Sequence, residues 1–398
     1  MVETTSVAPV VSADAPTAGP TAEPVIGPVE SPATPTAAPP SAPTAALLPD
    51  EVADVDRLLG DTLRERGSVL TDVSPELAPV AEALAVAGRG GKRLRATFAL
   101  LGARSVGEGP VPGDLHVATA LEMFHLAALV HDDLMDHSET RRGEPTVHHR
   151  FGAEHRRAVA RGDADHFGVS VAVLAGDLCL TWSDDLLATG ALAAGDPGRA
   201  ADVRGSWSRM RDETLAGQYL DVLGHTRDAV SPAYARRVLR YKSAAYTVEQ
   251  PLVLGARLAG APAPLLASYG ELGLAAGEAF QLRDDLLGVL GDPAVTGKPV
   301  VDDVREGKRT LLVSLAQEAA SPAQAEVLAG ALGDPELDDE RLAAVQDVLV
   351  TTGAVAAVER RIDGLAARAT SIAAGLPVAE RHRDRLAALI ALCAWRDV

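Results

Sequence analysis

The stretch HLAALVHDDLMDHSETRR, from His125 to Arg142, combines an apolar helical pattern with a high density of charged side chains. Three of its carboxylates are Asp132, Asp133 and Asp136, and two arginines close the stretch. At 3.6 residues per turn, Asp132 and Asp136 share one helix face, so both can bind the same Mg²⁺. Guanidinium groups just beyond can hold an anion beside the metal. The stretch therefore predicts a helix that binds a diphosphate.

The sequence outside this stretch has the composition of a helical protein. Of its 398 residues, 47% are apolar but only 3% are aromatic. Alanine and leucine dominate, and apolar residues recur with helical spacing from Leu47 almost to Val398. Runs rich in Val, Ile, Thr and aromatic residues, which favour strands, are nearly absent. We therefore predict a disordered tail over residues 1–46 and one all-α domain over residues 47–398.

Charge and cysteine content exclude several classes of partner. The formal net charge of −18 argues against nucleic acid and anionic membranes, so an anionic substrate needs a local basic cluster or metal. Cys179 and Cys393 are the only cysteines, which favours the reducing cytoplasm over a disulfide framework. We find no apolar run of about eighteen residues, so no membrane span is predicted.

An acidic pair alone is weak evidence for a metal site, because the chain has five: 132-133, 184-185, 284-285, 302-303 and 338-339. Most acidic pairs in helical proteins lie on solvated faces or cap a helix. The pair 184-185 has no basic or amide residue nearby in the sequence, and the pair 338-339 lies in the polar turn GDPELDDERL, so we predict that both are structural. In contrast, Gln281 precedes Asp284 and Asp285 in an apolar helical pattern.

Lysine is rare and is restricted to a few loops. Of 37 basic residues 33 are arginine, and the four lysines are Lys92, Lys242, Lys298 and Lys308. Lys92 lies in the glycine-rich loop GRGGKRLR, where glycines let the backbone approach a ligand and a helix begins. Because a compact ammonium suits a phosphate oxygen, this distribution favours one polyanion site.

Six motifs, taken in order, resemble those of the trans-isoprenyl diphosphate synthases, the polyprenyl synthetase family. They are GGKRLRA at 90–96, DDLMD followed by RRG at 132–143, GQYLD at 217–221, Lys242-Ser243, FQLRDD at 280–285, and the loop from Gly297 to Thr310. The resemblance covers residues 50–398. It implies a single large helical bundle of the isoprenoid synthase type.

The resemblance also implies two facing diphosphate sites and a role for each matching residue. Isopentenyl diphosphate would be held by Lys92, Arg95, His125 and Arg142. The allylic diphosphate would be held by Arg141, Lys242, Ser243, Gln281, Lys298 and Lys308. Mg²⁺, three ions per site, would be bound by Asp132, Asp136 and Asp284, and the catalytic set would be Asp132, Asp133, Asp136, Lys242, Asp284 and Asp285.

With these roles the protein is expected to be a cytoplasmic, homodimeric prenyltransferase that elongates an allylic diphosphate with isopentenyl diphosphate. No side chain needs to act as a nucleophile, since metals and cations stabilise the departing diphosphate. The chain departs from the family pattern at several positions. In particular, Gly288 stands where many members have a third aspartate.

Two alternatives remain open at this point. A terpene cyclase also ionises an allylic diphosphate at an aspartate-rich helix, but aromatic rings usually line its pocket, and this chain has only thirteen Phe, Trp and Tyr residues. A non-catalytic subunit of a heteromeric synthase would be expected to have lost acidic or lysine ligands. Both acidic motifs are essentially whole here.

The length of the product is expected to depend on the helix that carries Asp132. In the family, a bulky ring five residues before the first aspartate closes the pocket early. Here Ala127 and Ala128 lie five and four residues before Asp132, and Phe124 lies eight residues before it, roughly 12 Å along the axis. We therefore predict a product longer than C15, with C20 geranylgeranyl diphosphate the best match.

The tail has ten of the 26 prolines, and no lysine or arginine occurs before Arg57. Such a segment cannot offset the entropy of ordering. Its simplest role is a passive solubilising extension. It also resembles the Pro- and Ala-rich extensions that direct some bacterial prenyltransferases and terpene cyclases into encapsulin shells, which makes a docking role the alternative.

Overall fold

The prediction of an all-α chain is confirmed. The computed structural model describes residues 49–107, 110–291 and 301–396. In this part of the chain the only strands are one pair of two residues each, and the rest of the regular structure is helical. The predicted tail, residues 1–46, and Lys298 lie outside the described residues.

The described helices vary from a single turn to eight turns. In chain order they are α1 (Pro49–Val73), a 3₁₀ turn (Pro75–Leu77), α2 (Ala78–Ala87), α3 (Leu94–Arg104), α4 (Asp114–Met135), α5 (Val147–Arg157), α6 (Ala164–Ala193), α7 (Pro197–His225), α8 (Pro232–Val238), a π-helical segment (Leu239–Glu249), α9 (Gln250–Leu258), α10 (Ala263–Leu290), α11 (Asp302–Arg305), α12 (Leu311–Ala319), α13 (Pro322–Ala331), α14 (Asp339–Thr351), α15 (Ala354–Ala374) and α16 (Glu380–Ala394).

Helix α4 lies in the interior of one of two hydrophobic clusters and contacts α1, α3, α6 and α9. Its residues from Val117 to Phe124 are all buried. Helix α10 lies in the second cluster, where it contacts the π-helical segment, α15 and α16. The acidic ends of α4 and α10 thus emerge from separate parts of the core.

Small residues allow the helices to approach closely, as the abundance of alanine suggests. A Cβ added at Gly255 in α9 would overlap the carbonyl oxygen of Ala99, and one added at Gly102 in α3 would overlap that of Leu252. The two backbones are therefore in direct contact, and neither glycine can be replaced without separating α3 from α9.

The π-helical segment Leu239–Glu249 carries Lys242 and Ser243 and has a local cause. Pro251 lies two residues after its end and has no N–H with which to continue an α-helical hydrogen-bond pattern. One wider turn accommodates this loss, and π-helical turns are frequent at functional sites. Sequence periodicity alone did not predict it.

The two short strands, β1 (Thr140–Arg141) and β2 (Glu144–Pro145), form an antiparallel hairpin after α4. Its turn residues, Arg142 and Gly143, have φ values of 54° and 79°. Positive φ at both positions is typical of a two-residue hairpin turn. Arg141, at the end of β1, contacts Asp133 near the acidic end of α4.

The expectation that no segment has the length of a membrane span needs correction. Among the described residues, α6 is long and apolar enough to cross a membrane. Helices α14 and α15, which are joined at a bend of 61°, reach that length and hydropathy only when they are taken together. Helix α6 nevertheless contacts α4, α5 and α7, and its Cys179, Trp182 and Leu187 are buried in the core. Core helices of helical bundles meet the same criteria, so this is weak evidence for a span.

Candidate active site

The carboxylate of Asp132 is joined to two helices that are distant in sequence. Its Oδ1 accepts hydrogen bonds from Gln218 Nε2 of α7 at 3.0 Å and from Lys242 Nζ at 3.3 Å. Lys242 also contacts Asp221 Oδ2 at 2.6 Å. Burial acts to raise the pKa of Asp132, but Lys242, Lys308 and Arg141 together hold that pKa below its usual value. Asp132 is therefore ionised in a site that is mostly shielded from water.

Asp136 caps the end of α4 and faces the loop that precedes α12. Its side chain is only 4% exposed, and Lys308 Nζ lies 3.8 Å from its Oδ2. Lys308 in turn contacts Asp303 at 2.8 Å and Glu306 at 2.5 Å. Burial and the neighbouring charge of Asp132 raise the pKa of Asp136 to about 6. A further cation near this carboxylate would favour its ionised form.

Arg141 and Asp133 form a partly buried ion pair at the acidic end of α4. Arg141 Nε donates to Asp133 Oδ1 at 2.6 Å, and Asp133 is 5% exposed. Asp133 therefore positions the arginine, and the arginine reaches the acidic end of the helix through the hairpin. The second aspartate of the first acidic motif is therefore engaged by an arginine.

The second acidic motif lies at the end of α10. Gln281 Nε2 donates to Asp285 Oδ1 at 2.8 Å. Asp284 Oδ1 accepts from Arg396 Nη2 at 2.5 Å, and the Arg396 guanidinium stacks 3.9 Å from the centre of the Phe280 ring. Desolvation outweighs the Gln281 hydrogen bond and raises the pKa of Asp285 to about 8.

Gly288 leaves space that a carboxylate from another segment occupies. A Cβ added at Gly288 would overlap Asp303 Oδ2. The carboxylate of Asp303 therefore lies where the side chain of a third aspartate would begin. Sequence comparison alone identifies the missing aspartate, whereas the structure shows which carboxylate lies in its place.

The glycine-rich loop and the hairpin form a basic cluster. Gly90 and Gly91 have φ values of 70° and 94°. The guanidinium of Arg142 lies against Gly91, and its Nη1 donates to the carbonyl oxygen of Arg89 at 2.8 Å. Partial desolvation and the nearby Arg396 lower the pKa of Lys92. The effect of Arg396 on Lys92 indicates that this cluster extends to the second acidic motif.

Arg95 and His125 meet at the ring of Tyr246. The Arg95 guanidinium lies 4.2 Å from the ring centre, and its Nη2 donates to Thr247 Oγ1 at 2.9 Å. The Tyr246 hydroxyl and His125 Nδ1 are 2.7 Å apart. Burial, followed by the surrounding arginines, lowers the pKa of His125 well below its usual value, so the imidazole is neutral at pH 7. Arg95 Nε is buried and has no hydrogen-bond partner among the described residues.

The structure brings together most of the predicted site residues, but it describes no polar contact for Ser243. Arg93, which adjoins Lys92 in the loop, is structural: it is 7% exposed and bonds to Asp56, Glu122 and the carbonyl oxygen of Gly88. Lys298 lies outside the described residues. Tyr246 and Arg396 were not predicted, although Tyr246 is four residues after Lys242 and could have been found by helical spacing.

The two acidic pairs set aside as structural do have structural partners. Asp338 caps α14 by accepting a hydrogen bond from the backbone N–H of Arg341. Asp184 bonds to Trp207 Nε1 and to Arg211 Nη1, both at 2.6 Å. Asp185 pairs with Arg66 at 2.9 Å. These partners come from other helices and were not visible in the local sequence.

The predicted positions along α4 differ in their surroundings. Phe124 is 1% exposed and Ala127 is fully buried, whereas Ala128 is partly exposed. The Phe124 ring contacts Trp207 and Tyr246 edge to face. A cavity that extends from Asp132 along this helix would therefore pass the two alanines and meet rings contributed by three helices.

The acidic side chains fit Mg²⁺ by their chemistry. In the described residues, three potential ligands do not lie together in a preformed metal site. The reason is that ammonium groups lie between the carboxylates: Lys242 bridges Asp132 and Asp221, and Lys308 bridges Asp303, Glu306 and Asp136. Each lysine thus neutralises part of the negative charge of the clustered carboxylates. Carboxylate oxygens are the ligands that Mg²⁺ prefers.

Comparison with known proteins agrees with this geometry. A sequence profile described as polyprenyl synthetase matches residues 78–349. The geranylfarnesyl diphosphate synthase of Aeropyrum pernix is 33% identical over 302 residues, which is 76% of this chain and 88% of the relative. Component 2 of the heptaprenyl diphosphate synthase of Geobacillus stearothermophilus is 32% identical over 77% of this chain and 87% of the relative.

The fold is also similar to that of a solved structure, the geranylgeranyl pyrophosphate synthase of Corynebacterium glutamicum complexed with isoprenyl diphosphate and magnesium. The TM-score is 0.80 and the identity 36%, over 85% of this chain and 98% of the other. Motifs, site geometry and overall similarity agree: the chain belongs to the polyprenyl synthetase family of prenyl-transferring enzymes.

Proposed function

We propose that this enzyme condenses isopentenyl diphosphate with an allylic diphosphate, head to tail, and forms a trans product. The observation that carries the proposal is the presence of two cationic regions beside α4. One comprises Lys92, Arg95 and Arg142, and the other comprises Lys242 and Lys308 among carboxylates. Two anionic substrates can bind there without competing for the same charges.

Isopentenyl diphosphate is assigned to the region around the glycine-rich loop. Lys92 and Arg142 supply exposed cations, and the unpartnered Nε of Arg95 supplies a donor. His125 is neutral, so it contributes a hydrogen bond rather than a charge. Tyr246 keeps the Arg95 and His125 side chains in place by contacting both.

The allylic diphosphate is assigned to the acidic ends of α4 and α10. Asp132, Asp136 and Asp284 would hold Mg²⁺, which neutralises diphosphate charge when bound; we propose three ions per site. Asp303, beside Gly288, would support them. The cationic and amide groups assigned to the diphosphate itself are Arg141, Lys242, Ser243, Gln281, Lys298 and Lys308.

The reaction then follows from position and charge. The allylic C–O bond breaks, and its electron pair leaves with the diphosphate, which Lys242, Lys308 and Arg141 stabilise. The alkene of isopentenyl diphosphate attacks the allylic cation and forms the new C–C bond. A proton leaves the adjacent carbon for an oxygen of the released diphosphate, which creates the new double bond. The side chains bind, orient and exclude water.

The product is proposed to be C20 geranylgeranyl diphosphate or longer. Ala127 and Ala128 leave room beside α4, and Phe124 lies about one turn deeper than Ala127. The pocket that the growing chain occupies along α4 is called the prenyl pocket below. In this proposal the length of the prenyl pocket is set by the first bulky side-chain ring that the growing prenyl chain meets.

We further propose a homodimer that buries an apolar face of the α6–α7 hairpin. The face is unusual because several large apolar side chains on it are exposed: Phe167, Val173 and Leu174 of α6, and Leu215, Tyr219 and Val222 of α7. Large apolar side chains that are exposed together on neighbouring helices are typical of interaction sites. A symmetric partner offers the same surface in return.

The tail, residues 1–46, is proposed to be passive for catalysis, and the enzyme is proposed to be cytoplasmic. The alternative is that the tail docks the enzyme to an encapsulin shell through its short apolar segments. Co-purification of full-length and truncated enzyme with a shell protein distinguishes the two. Equal recovery of both forms would leave the passive role.

The decisive experiment is incubation with isopentenyl diphosphate, Mg²⁺ and each of the C5, C10 and C15 allylic diphosphates, followed by mass spectrometry. We expect linear diphosphates that grow by five carbons, ending at C20 or above. A cyclic hydrocarbon formed from one allylic substrate would indicate a terpene cyclase. Turnover only after addition of a second protein would indicate a subunit of a heteromeric enzyme.

A further inference from the structure

Three aromatic rings from three helical segments meet inside the bundle. The ring centre of Phe124 lies 5.7 Å from that of Trp207 and 6.0 Å from that of Tyr246, with interplanar angles of 68° and 80°. Phe124 and Trp207 are each 1% exposed. Both arrangements are edge to face, which is a favourable geometry for aromatic pairs. These are the ring contacts of Phe124 among the described residues.

Phe124 and Trp207 lie at similar depths below the acidic residues. Helices α4 and α7 are joined near the acidic end by the hydrogen bond from Gln218 to Asp132. Phe124 is eight residues before Asp132, roughly 12 Å along α4, and Trp207 is eleven residues before Gln218, roughly 16 Å along α7. A prenyl chain that grows from Asp132 into the bundle would therefore meet one aromatic ring from α4 and one from α7.

Trp207 is held in one orientation by two charged residues. Its Nε1 donates to Asp184 Oδ1 at 2.6 Å, and Asp184 Oδ2 accepts from Arg211 Nη1 at 2.6 Å. A buried indole N–H needs a hydrogen-bond partner, so rotation of the ring would leave it unsatisfied. Asp184, on α6, thereby restrains a ring on α7 that contacts α4.

We propose that Trp207 closes the prenyl pocket jointly with Phe124, and that Asp184 is a positioning residue that fixes the Trp207 ring. The inference rests on the proposed function, because it specifies what limits the product of that reaction. In this proposal the end of the prenyl pocket is formed by residues of both α4 and α7, and not by α4 alone. Removal of the Phe124 ring would still leave Trp207 as the next barrier, whereas loss of both rings would open the pocket.

The test measures product lengths by mass spectrometry for Phe124→Ala, Trp207→Ala, the double variant and Asp184→Asn. We expect Trp207→Ala to lengthen the main product by at least one five-carbon unit, and the double variant to lengthen it more than either single variant. Asp184→Asn should broaden the distribution toward longer products. A structural role alone would change the amount of product but not its length.

Controls separate pocket shape from folding. Trp182→Phe changes a tryptophan that is buried in the same hydrophobic cluster but is absent from the ring contacts of Phe124, and it should leave product length unchanged. If Trp207→Ala does not fold, Trp207→Phe and Asp184→Asn still test the proposal. Either should shift the distribution, because Trp207→Phe removes the hydrogen bond to Asp184 and Asp184→Asn removes the charge that binds Arg211 and strengthens that hydrogen bond.

Failure of this inference differs from failure of the proposed function. If Ala127→Phe shortens the product while the Trp207 and Asp184 variants keep the parent distribution, the pocket follows α4 but Trp207 does not limit it, and the inference is wrong. Unchanged lengths in all these variants would also overturn it. Lack of elongation by the parent enzyme would instead overturn the proposed function.

Discussion

Gly288 shows how one missing side chain can be compensated by another segment. The carboxylate of Asp303 lies against it and also binds Lys308 at 2.8 Å. Lys308 lies 3.8 Å from Asp136. The two acidic motifs are thus connected through a loop residue. The glycine is required because any Cβ at this position would displace the end of the Asp303 side chain.

Gly288→Ala is therefore expected to weaken Mg²⁺ binding without unfolding the protein. Only the end of one flexible side chain has to move, and alanine itself favours a helix. The measurement is calorimetric titration of Mg²⁺ in the presence of inorganic diphosphate. Gly364→Ala is the matched control: no atom lies within 4 Å of its added Cβ, so it should raise the free energy of unfolding by roughly 0.5–1 kcal/mol and leave Mg²⁺ affinity unchanged. Equal Mg²⁺ affinity in the Gly288→Ala and Gly364→Ala variants would contradict the proposed role of Asp303 in supporting the metal.

Asp132 accepts hydrogen bonds from Gln218 and Lys242, which lie on two different helical segments. Loss of a residue that only supports a metal ligand typically reduces activity roughly 10- to 100-fold. Asp132 is assigned as a ligand itself, so Asp132→Ala is expected to reduce kcat by more than that. Asp185→Ala is the control, because this exposed residue pairs only with Arg66 among the described ion pairs. Steady-state assays of both variants provide the comparison. Similar losses of kcat in the two variants would contradict the assignment of Asp132 to the metal site and of Asp185 to a structural role.

Glu249 gives the fold a pH dependence away from the acidic site. Burial is the main cause that raises its pKa to about 7 from the ordinary 4.5, and Glu213 adds to it. A raised carboxyl pKa in the folded state means that stability is fully present below pH 4.5 and is lost as pH rises toward 7.

Glu249→Gln should consequently stabilise the protein at pH 8 by on the order of 2 kcal/mol and have little effect near pH 4.5. Urea unfolding at the two pH values measures the difference. Glu271→Gln serves as the control because Glu271 and its partner Arg368 are each 63% exposed. A pH-independent effect of Glu249→Gln would contradict the assignment.

At the level of helices and loops, the two cationic regions belong to different segments. Lys92 lies in the loop before α3, and Arg142 lies in the β1–β2 turn that contacts this loop. Lys242 lies on the π-helical segment and contacts Asp132 and Asp221. Lys242 and Tyr246, four residues apart on this segment, both contact residues of α4, namely Asp132 and His125.

Substitutions in these segments should separate the two substrates. Lys92→Ala and Arg142→Ala are expected to raise KM for isopentenyl diphosphate, whereas Lys242→Ala should raise KM for the allylic substrate, since each charge faces a different diphosphate. Titration of each substrate at saturating concentrations of the other decides this. If every variant shifts both constants to the same extent, the two-site assignment fails.

For the whole chain, the exposed face of the α6–α7 hairpin is the main feature that a monomer leaves unexplained. Leu174 is 64% exposed and Tyr219 is 67% exposed. Their burial against a second copy would remove contiguous apolar surface from water, which is favourable in proportion to the area buried.

Introduction of charge on this face should separate the dimer. The double variant Leu174→Asp with Tyr219→Asp is expected to sediment as a monomer, whereas the parent sediments as a dimer. Val350→Asp is a suitable control, because Val350 is 56% exposed but lies on α14. Analytical ultracentrifugation over a range of concentrations measures the masses. A parent that is monomeric throughout would rule out this interface.

The sequence by itself determined the helical class and the local parts of the site. Apolar periodicity is a local property, so α4, α7 and α10 could be predicted from spacing alone. Acidic residues one turn apart on α4, the glycines before Lys92 and the amide preceding Asp284 are also local patterns. The six motifs in order were enough to identify the family.

Only the tertiary structure decided which side chains meet. Lys242 bridges Asp132 and Asp221, Asp303 lies against Gly288, and Asp184 orients Trp207, and in each case the partners come from separate segments. Periodicity shows which face of a helix is apolar, but it does not specify the helix that covers that face. Those contacts depend on close packing of the bundle, where the size of a single side chain, such as the missing one at Gly288, decides what can approach.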